Sequence, residues 1–104
     1  MVESLITYNI RQEVPEEHYW EVVQGMITTL VKDKMIKEFR AFENLMGEPH
    51  IKCSVFWEEA THFANFVKSD QWHNIHKDLR KVARDIKIEL WGPSRLLPEP
   101  VIVD

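Results

Sequence analysis

The side chains best suited to chemistry lie close together between positions 56 and 80. Three histidines fall there, His62, His73 and His76. A neutral imidazole can accept a proton near neutral pH or ligate a metal through a ring nitrogen. Zinc would need further converging ligands, and no paired Cys or His spacing elsewhere supplies them. The spacing of these histidines therefore does not favour a zinc centre.

Aromatic and aliphatic side chains accompany these histidines and could form an apolar pocket for a flat ligand. The residues assigned to this pocket are Phe63, Phe66, Trp72 and Ile75. Each of these residues also has a purely structural interpretation, as core packing or as a solvent-exposed polar group. The lone Cys53 lies within a predicted strand and is interpreted as a buried structural thiol.

The composition narrows the class of protein. A chain of 104 residues with 44% hydrophobic and 29% charged residues predicts one globular domain over residues 1–104, with residues 93–104 as an extended tail. The net charge of −4 argues against a nucleic-acid partner. No apolar run is long enough for a membrane span, and the N-terminus lacks the pattern of a signal peptide. We therefore expect a cytoplasmic protein with no membrane association.

Local periodicity predicts the elements that must position these residues. Strands are predicted over residues 5–10, 36–42, 51–57 and 86–91, where β-branched and aromatic residues cluster or alternate. A helix starting near Pro15 carries an apolar stripe, and a second helical region covers residues 59–83. The stripe consists of Trp20, Val23, Ile27, Leu30 and Val31. Ser69 and Asp70 indicate an N-cap that divides the second region into two helices.

The resulting β-α-β-β-α-β order predicts a ferredoxin-like α+β fold with a four-stranded antiparallel sheet and the helices on one face. Several strands are apolar on both sides, including residues 5–10 and 86–91. Because an apolar sheet face is not left in water, we expect a homodimer in which a second copy covers the open face.

The sequence resembles the antibiotic-biosynthesis-monooxygenase superfamily, the dimeric α+β barrels, over nearly its whole length. The resemblance rests on the element order and on Phe56-Trp57-Glu58 at the end of a strand. Within the superfamily, the segments 66–70 and 76–80 are most similar to the small haem-degrading monooxygenases. This resemblance implies a monooxygenase that binds a flat aromatic or tetrapyrrole ligand, with haem as the leading candidate.

The same resemblance implies roles for three residues. His76 would ligate the haem iron, Asn9 would lie beside the distal face, and Phe66 would occupy the position of a tryptophan that presses on the porphyrin. Phenylalanine keeps the bulk but lacks the indole N–H, so we expect binding to survive better than haem degradation. Two alternatives remain open: a cofactorless, quinol-type monooxygenase with His62, His73 or His76 as the base, and a non-catalytic ligand-binding or stress-response module.

Overall fold

The computed structural model describes residues 1–32 and 36–104, which form four strands and three helices. In chain order they are β1 (Val2–Ile10), α1 (Glu16–Val31), β2 (Ile36–Glu43), β3 (Ile51–Trp57), α2 (Ala60–Val67), α3 (Asp70–Val82) and β4 (Ala83–Trp91). The predicted order of strands and helices is confirmed. β1 and β4 each begin three residues earlier than predicted.

The four strands form one sheet in the order β2-β3-β1-β4, and every neighbouring pair is antiparallel. The helices cover one side of this sheet, so the predicted ferredoxin-like α+β arrangement is confirmed. The second helical region is divided where the sequence indicated. The Ser69 hydroxyl accepts a hydrogen bond from the Trp72 backbone N–H at 3.2 Å and so caps α3.

The core lies between the sheet and the helices. Alternate residues of the two central strands point into it: Ile6 and Tyr8 from β1, and Cys53, Val55 and Trp57 from β3. This alternation in β3 follows from strand geometry, in which successive side chains point to opposite faces. The helices contribute Val23, Met26, Leu30, Phe66, Trp72, Ile75, Leu79 and Val82.

The predicted apolar stripe of α1 is wrong at both ends. Trp20 and Val31 are 52% and 64% exposed, whereas Met26, outside the predicted stripe, is buried. Spacing along a helix fixes only which residues share a face. Which turns of that face meet the sheet depends on how far the helix overhangs the core.

The other side of the sheet, here called the open face, is mixed in character rather than apolar. Pairing places Leu5, Phe42, Phe56 and Trp91 on it, together with charged side chains. Lys52 lies 4.6 Å from the centre of the Phe42 ring, and charged neighbours pair along β2 and β4. Ile88 pairs with Ile6 and therefore lies on the helix side. Thus β4 does not supply the aliphatic open face that we expected.

Residues 92–104 follow β4 without helix or strand, as the prolines predicted. Their aliphatic side chains, Leu96, Leu97, Val101, Ile102 and Val103, are all exposed. None of the helices in the described part of the chain combines the length and apolar character needed to cross a membrane.

Candidate functional site

The four residues assigned to a pocket lie together around one small cavity between the sheet and the helices. We call it the interlayer cavity; its volume is about 20 Å³, close to that of a single water site. It is lined by Ser4, Ile6, Met26, Leu30, Val55, Trp57, Phe63, Phe66, Val67, Trp72, Ile75 and Ile88. Ile88 is 38% exposed, so the cavity meets solvent on the β4 side.

A row of aromatic rings leads from the buried sheet to the surface of α3. Trp57 contacts both Phe63 and Phe66, with ring centres 5.7 and 5.3 Å apart. Phe66 lies 6.1 Å from Trp72, and the Trp72 indole stacks on the His76 imidazole at 5.4 Å with an interplanar angle of 21°. These rings form an apolar wall that ends in a titratable group.

His76 lies on α3, one turn after Trp72, which is why the two rings stack. It does not line the interlayer cavity but covers the outer side of the Trp72 ring. Burial lowers the pKa of His76 below its ordinary value of 6.5, and electrostatic interaction with Arg80 and His73 lowers it further. The imidazole is therefore neutral at pH 7 and able to accept a proton.

Asn9 lies elsewhere. Alternation along β1 places it on the face opposite Tyr8, and it does not line the interlayer cavity. Its carbonyl oxygen accepts a hydrogen bond from the His50 backbone N–H at 2.9 Å, and its amide donates to Asp85 at 3.1 Å. The structure therefore does not bring Asn9 together with His76, and its catalytic role stays a prediction.

The position of Asn9 depends on an irregularity in β4. The register between β1 and β4 shifts beside Asn9, where Asp85 adopts a φ of 57°. Such an extra residue bends the strand and turns a side chain toward its neighbour. The hydrogen bonds from Asn9 and Arg84 lower the pKa of the Asp85 carboxyl. The arrangement binds β1, β4 and the β2–β3 connection together.

Sequence reasoning missed the polar pair inside the interlayer cavity. The Trp57 indole N–H donates to the Ser4 hydroxyl at 2.9 Å, and both side chains are buried. It also missed a second buried group, in which the Tyr8 hydroxyl lies 2.7 Å from that of Tyr19 and 3.8 Å from the Cys53 sulfur. Burial raises the pKa of the Cys53 thiol, which fits the predicted structural role. The only sequence signal for these two buried hydrogen-bonded groups was a hydroxyl-bearing residue, Ser4 or Tyr8, at a strand position that faces the core.

The other two histidines of the stretch differ from His76. His73 is exposed on α3. His62 lies in α2, and its buried Nδ1 has no hydrogen-bond partner among the described residues. Within residues 1–32 and 36–104, no group of three or more His, Cys, Asp or Glu side chains could hold a metal ion.

The residues present do not fit a haem between the layers. A cavity of about 20 Å³ is far below the several hundred Å³ of a cofactor-sized pocket. The His76 imidazole covers the outer side of Trp72 instead of entering the cavity. Haem binding therefore stays a prediction.

No family model and no curated protein matches the sequence, but many solved structures match the fold. A putative antibiotic biosynthesis monooxygenase from Deinococcus radiodurans is 15% identical, with a TM-score of 0.72 over 100% of this chain and 99% of that chain. SnoaB, a cofactor-independent oxygenase from Streptomyces nogalater, is 10% identical, with a TM-score of 0.73 over 94% and 97%. The hydroxynitrile lyase from Passiflora edulis is 11% identical, with a TM-score of 0.75 over 86% and 90%.

The chain therefore has the fold of antibiotic biosynthesis monooxygenase-type proteins, as the resemblance implied. The same fold occurs in a dimeric ferredoxin-like protein of Thermobifida fusca, 8% identical, with a TM-score of 0.72 over 86% of this chain and 88% of that chain. An oxygenase and a lyase both match, so the fold alone does not fix the reaction.

Proposed function

We propose that the protein is a cofactor-independent monooxygenase that acts on a small aromatic substrate carrying an acidic hydroxyl or enolisable group. The observation that carries the proposal is the neutral His76 imidazole stacked on Trp72, the indole that walls the interlayer cavity. The fold shared with a cofactor-independent oxygenase supports it.

The substrate ring would lie against the aromatic wall, and its acidic group would have to reach His76 past the edge of Trp72, because the Trp72 ring separates His76 from the cavity. The cavity must open for this, because about 20 Å³ does not hold an aromatic ring. Phe63 and Ile88 line the cavity and are not fully buried, so they are the side chains that would move aside. The apolar surroundings exclude water from the reacting carbon.

The chemistry needs only a base and a substrate that can supply electrons. His76 accepts a proton, and the resulting anion passes one electron to dioxygen. The two radicals combine into a peroxide anion on the substrate carbon, which takes the proton back from His76 and leaves the imidazole neutral again. Loss of water then leaves a ketone, so a CH₂ group and O₂ become C=O and H₂O.

Oxygen uptake tests the proposal, with anthrone as the probe because its enol form is acidic and its CH₂ group is oxidised to a carbonyl. We expect uptake above the rate without protein, with one O₂ consumed per anthraquinone formed. His76→Ala should lower the rate about 10²-fold or more, as expected for loss of a general base. His73→Ala, an exposed histidine on the same helix, is the matched control and should change it little. No uptake above background would contradict the proposal.

A haemin titration of the same variants tests the haem prediction. A Soret shift lost in His76→Ala but kept in His62→Ala and His73→Ala would support axial ligation and contradict our proposal. We expect no such histidine-specific shift.

We infer that the protein is a homodimer formed through the open face, and a protein of the same fold from Thermobifida fusca is dimeric. Leu5, Phe42, Phe56 and Trp91 would form the apolar centre of the interface. The exposed aliphatic residues of the tail would lie across the partner, because free in water they have nothing to pack against.

A further inference from the structure

A depression beside the core lies on the outer side of the helix layer. It follows the contact between α1 and α3 and has a volume of about 410 Å³, within the range of small-molecule sites. We call it the interhelical groove. It is lined by His18, Glu21, Val22, Gly25, Met26 and Thr29 of α1, and by Gln71, Asn74, Ile75, Asp78 and Leu79 of α3.

The floor of the groove is apolar. Met26, Ile75 and Leu79 form it, and all three are buried. They separate the groove from the interlayer cavity, which Met26 and Ile75 line from the other side. A ligand in the groove can therefore bury an apolar body without entering the core.

Gly25 keeps the groove open in the middle of α1. A glycine inside a helix destabilises it relative to alanine. A Cβ built on Gly25 would meet no atom within 4 Å, so packing within the described chain gives no reason for a glycine here. The missing side chain leaves room for another molecule to approach the helix backbone.

The rim of the groove is polar and carries acidic groups on both helices. Glu21 lies on α1 and Asp78 on α3, and among the described residues that line the groove His18 is the only basic one. Asp78 pairs with Lys81 at 3.7 Å on the exposed helix surface, whereas Glu21 has no ion pair with a described residue. Neither carboxamide, Gln71 or Asn74, hydrogen-bonds to the described part of the chain, so both can bind a ligand.

We propose that the interhelical groove binds an organic cation, an ammonium group carried on a small apolar body. The body would lie on Met26, Ile75 and Leu79 above Gly25. The ammonium would donate hydrogen bonds to Glu21 and Asp78, which are stronger than neutral ones because both partners are charged. The groove and the open face lie on opposite sides of the molecule, so a dimer formed through the sheets leaves the groove accessible.

Three probes with nearly the same apolar body test the charge requirement: 2-phenylethylamine, 2-phenylethanol and 3-phenylpropanoate. Titration into the ¹⁵N-labelled full chain, followed by NMR, should shift the backbone signals of Gly25 and Asn74 with the amine. We expect the alcohol to bind about tenfold more weakly, equivalent to one charged contact, and the carboxylate not to bind.

Four variants assign the contacts. Glu21→Gln should weaken amine binding about tenfold and leave alcohol binding unchanged. Lys81→Gln frees Asp78 and should strengthen amine binding. Gly25→Leu should abolish binding of both, and the open space above Gly25 means that the fold tolerates it. Glu17→Gln, on α1 but outside the groove, is the matched control and should have no effect.

Equal affinity for amine and carboxylate would overturn the proposal, as would shifts confined to residues of the interlayer cavity. If Glu17→Gln and Glu21→Gln weakened amine binding equally, the negative net charge alone would explain the attraction, and the proposed contact with Glu21 would be contradicted. The proposal does not depend on the oxygenase function, because NMR titration detects binding whether or not anthrone is oxidised.

Discussion

His76 is the residue on which the proposed reaction depends, and its environment sets its protonation. The imidazole is covered on one side by Trp72 and interacts electrostatically with Arg80 and His73. Burial and positive charge both disfavour the protonated form. A lowered pKa would keep His76 able to accept a proton in mildly acidic solution, as the proposed reaction requires.

The pKa of His76, followed through its ring proton in an NMR titration, should lie below 6.5. Arg80→Gln removes one positive charge and should raise it, whereas Lys77→Gln, on the same helix, should change it less. The low folded-state pKa means that the unfolded chain binds the proton more readily. The free energy of unfolding therefore keeps its full value above pH 6.5. It decreases as the pH falls toward the pKa of the folded protein, because the unfolded chain takes up the proton first. A pKa at or above 6.5 would contradict the described stacking.

Asn9 is held by two hydrogen bonds, so a structural role explains its burial. Asn9→Ala leaves the His50 N–H without its acceptor and should lower the free energy of unfolding by about 1–3 kcal/mol. Urea denaturation measures the loss. Asn65→Ala, at an exposed position on α2, is the control and should cause no loss. Unchanged stability of Asn9→Ala together with a loss of oxygen uptake would favour the catalytic role that the resemblance implied.

Phe66 lies between Trp57 and Trp72, and little free volume surrounds it. Phe66→Trp should therefore overpack the interlayer cavity and lower the free energy of unfolding by about 1–3 kcal/mol, measured by thermal or urea denaturation. Haemin turnover should not increase. Faster haem loss with unchanged stability would show that the cavity opens wide enough for a tetrapyrrole.

At the scale of elements, α3 positions the proposed site. It carries Trp72 and His76 one turn apart and begins at a capped end, where Ser69 accepts the Trp72 N–H. The break between α2 and α3 brings Phe66 and Trp72 into contact, because one continuous helix would separate them by about one and a half turns. The cap therefore fixes both the helix and the aromatic row.

Ser69→Ala removes this cap and should lower the free energy of unfolding by about 1 kcal/mol. Ser94→Ala is the matched control, because Ser94 caps only a turn in the tail and accepts from the N–H groups of Leu96 and Leu97. Chemical denaturation compares the two. Equal stability of both variants would mean that the first turn of α3 is held by packing alone.

At the scale of the whole molecule, the open face is mixed rather than apolar. On this face the charged residues Lys52, Lys87 and Glu89 alternate with the aromatic residues. Burying it against a second copy therefore removes less apolar surface from water than burying an aliphatic face would. The exposed aliphatic tail adds apolar surface that a second copy can cover.

Sedimentation velocity at micromolar protein should show a dimer. Trp91→Lys places a charge on the open face and should shift the population toward monomer. Trp20→Lys is the matched control, since Trp20 is 52% exposed against 54% for Trp91 but lies on α1. Removal of residues 93–104 should also weaken the dimer. A wild-type monomer, or equal effects of the two tryptophan variants, would contradict association through the open face.

The sequence by itself determined the order of the elements and the alternation of side chains along β3. Strand alternation, as in Cys53, Val55 and Trp57, follows from backbone geometry and is visible in the residues alone. The cap at Ser69 depends on a hydroxyl three residues before the N–H that it accepts. Both signals are local, so no knowledge of distant segments was needed.

Only the tertiary structure decided what these elements build together. The position of Asn9 depends on the bulge at Asp85, 76 residues away, and the volume beside Phe66 depends on rings from β3, α2 and α3. The exposure of Trp20 depends on where α1 leaves the sheet. These properties depend on contacts between segments that are distant in sequence. Because the interior is closely packed, a shift of one side chain is enough to open or close a cavity.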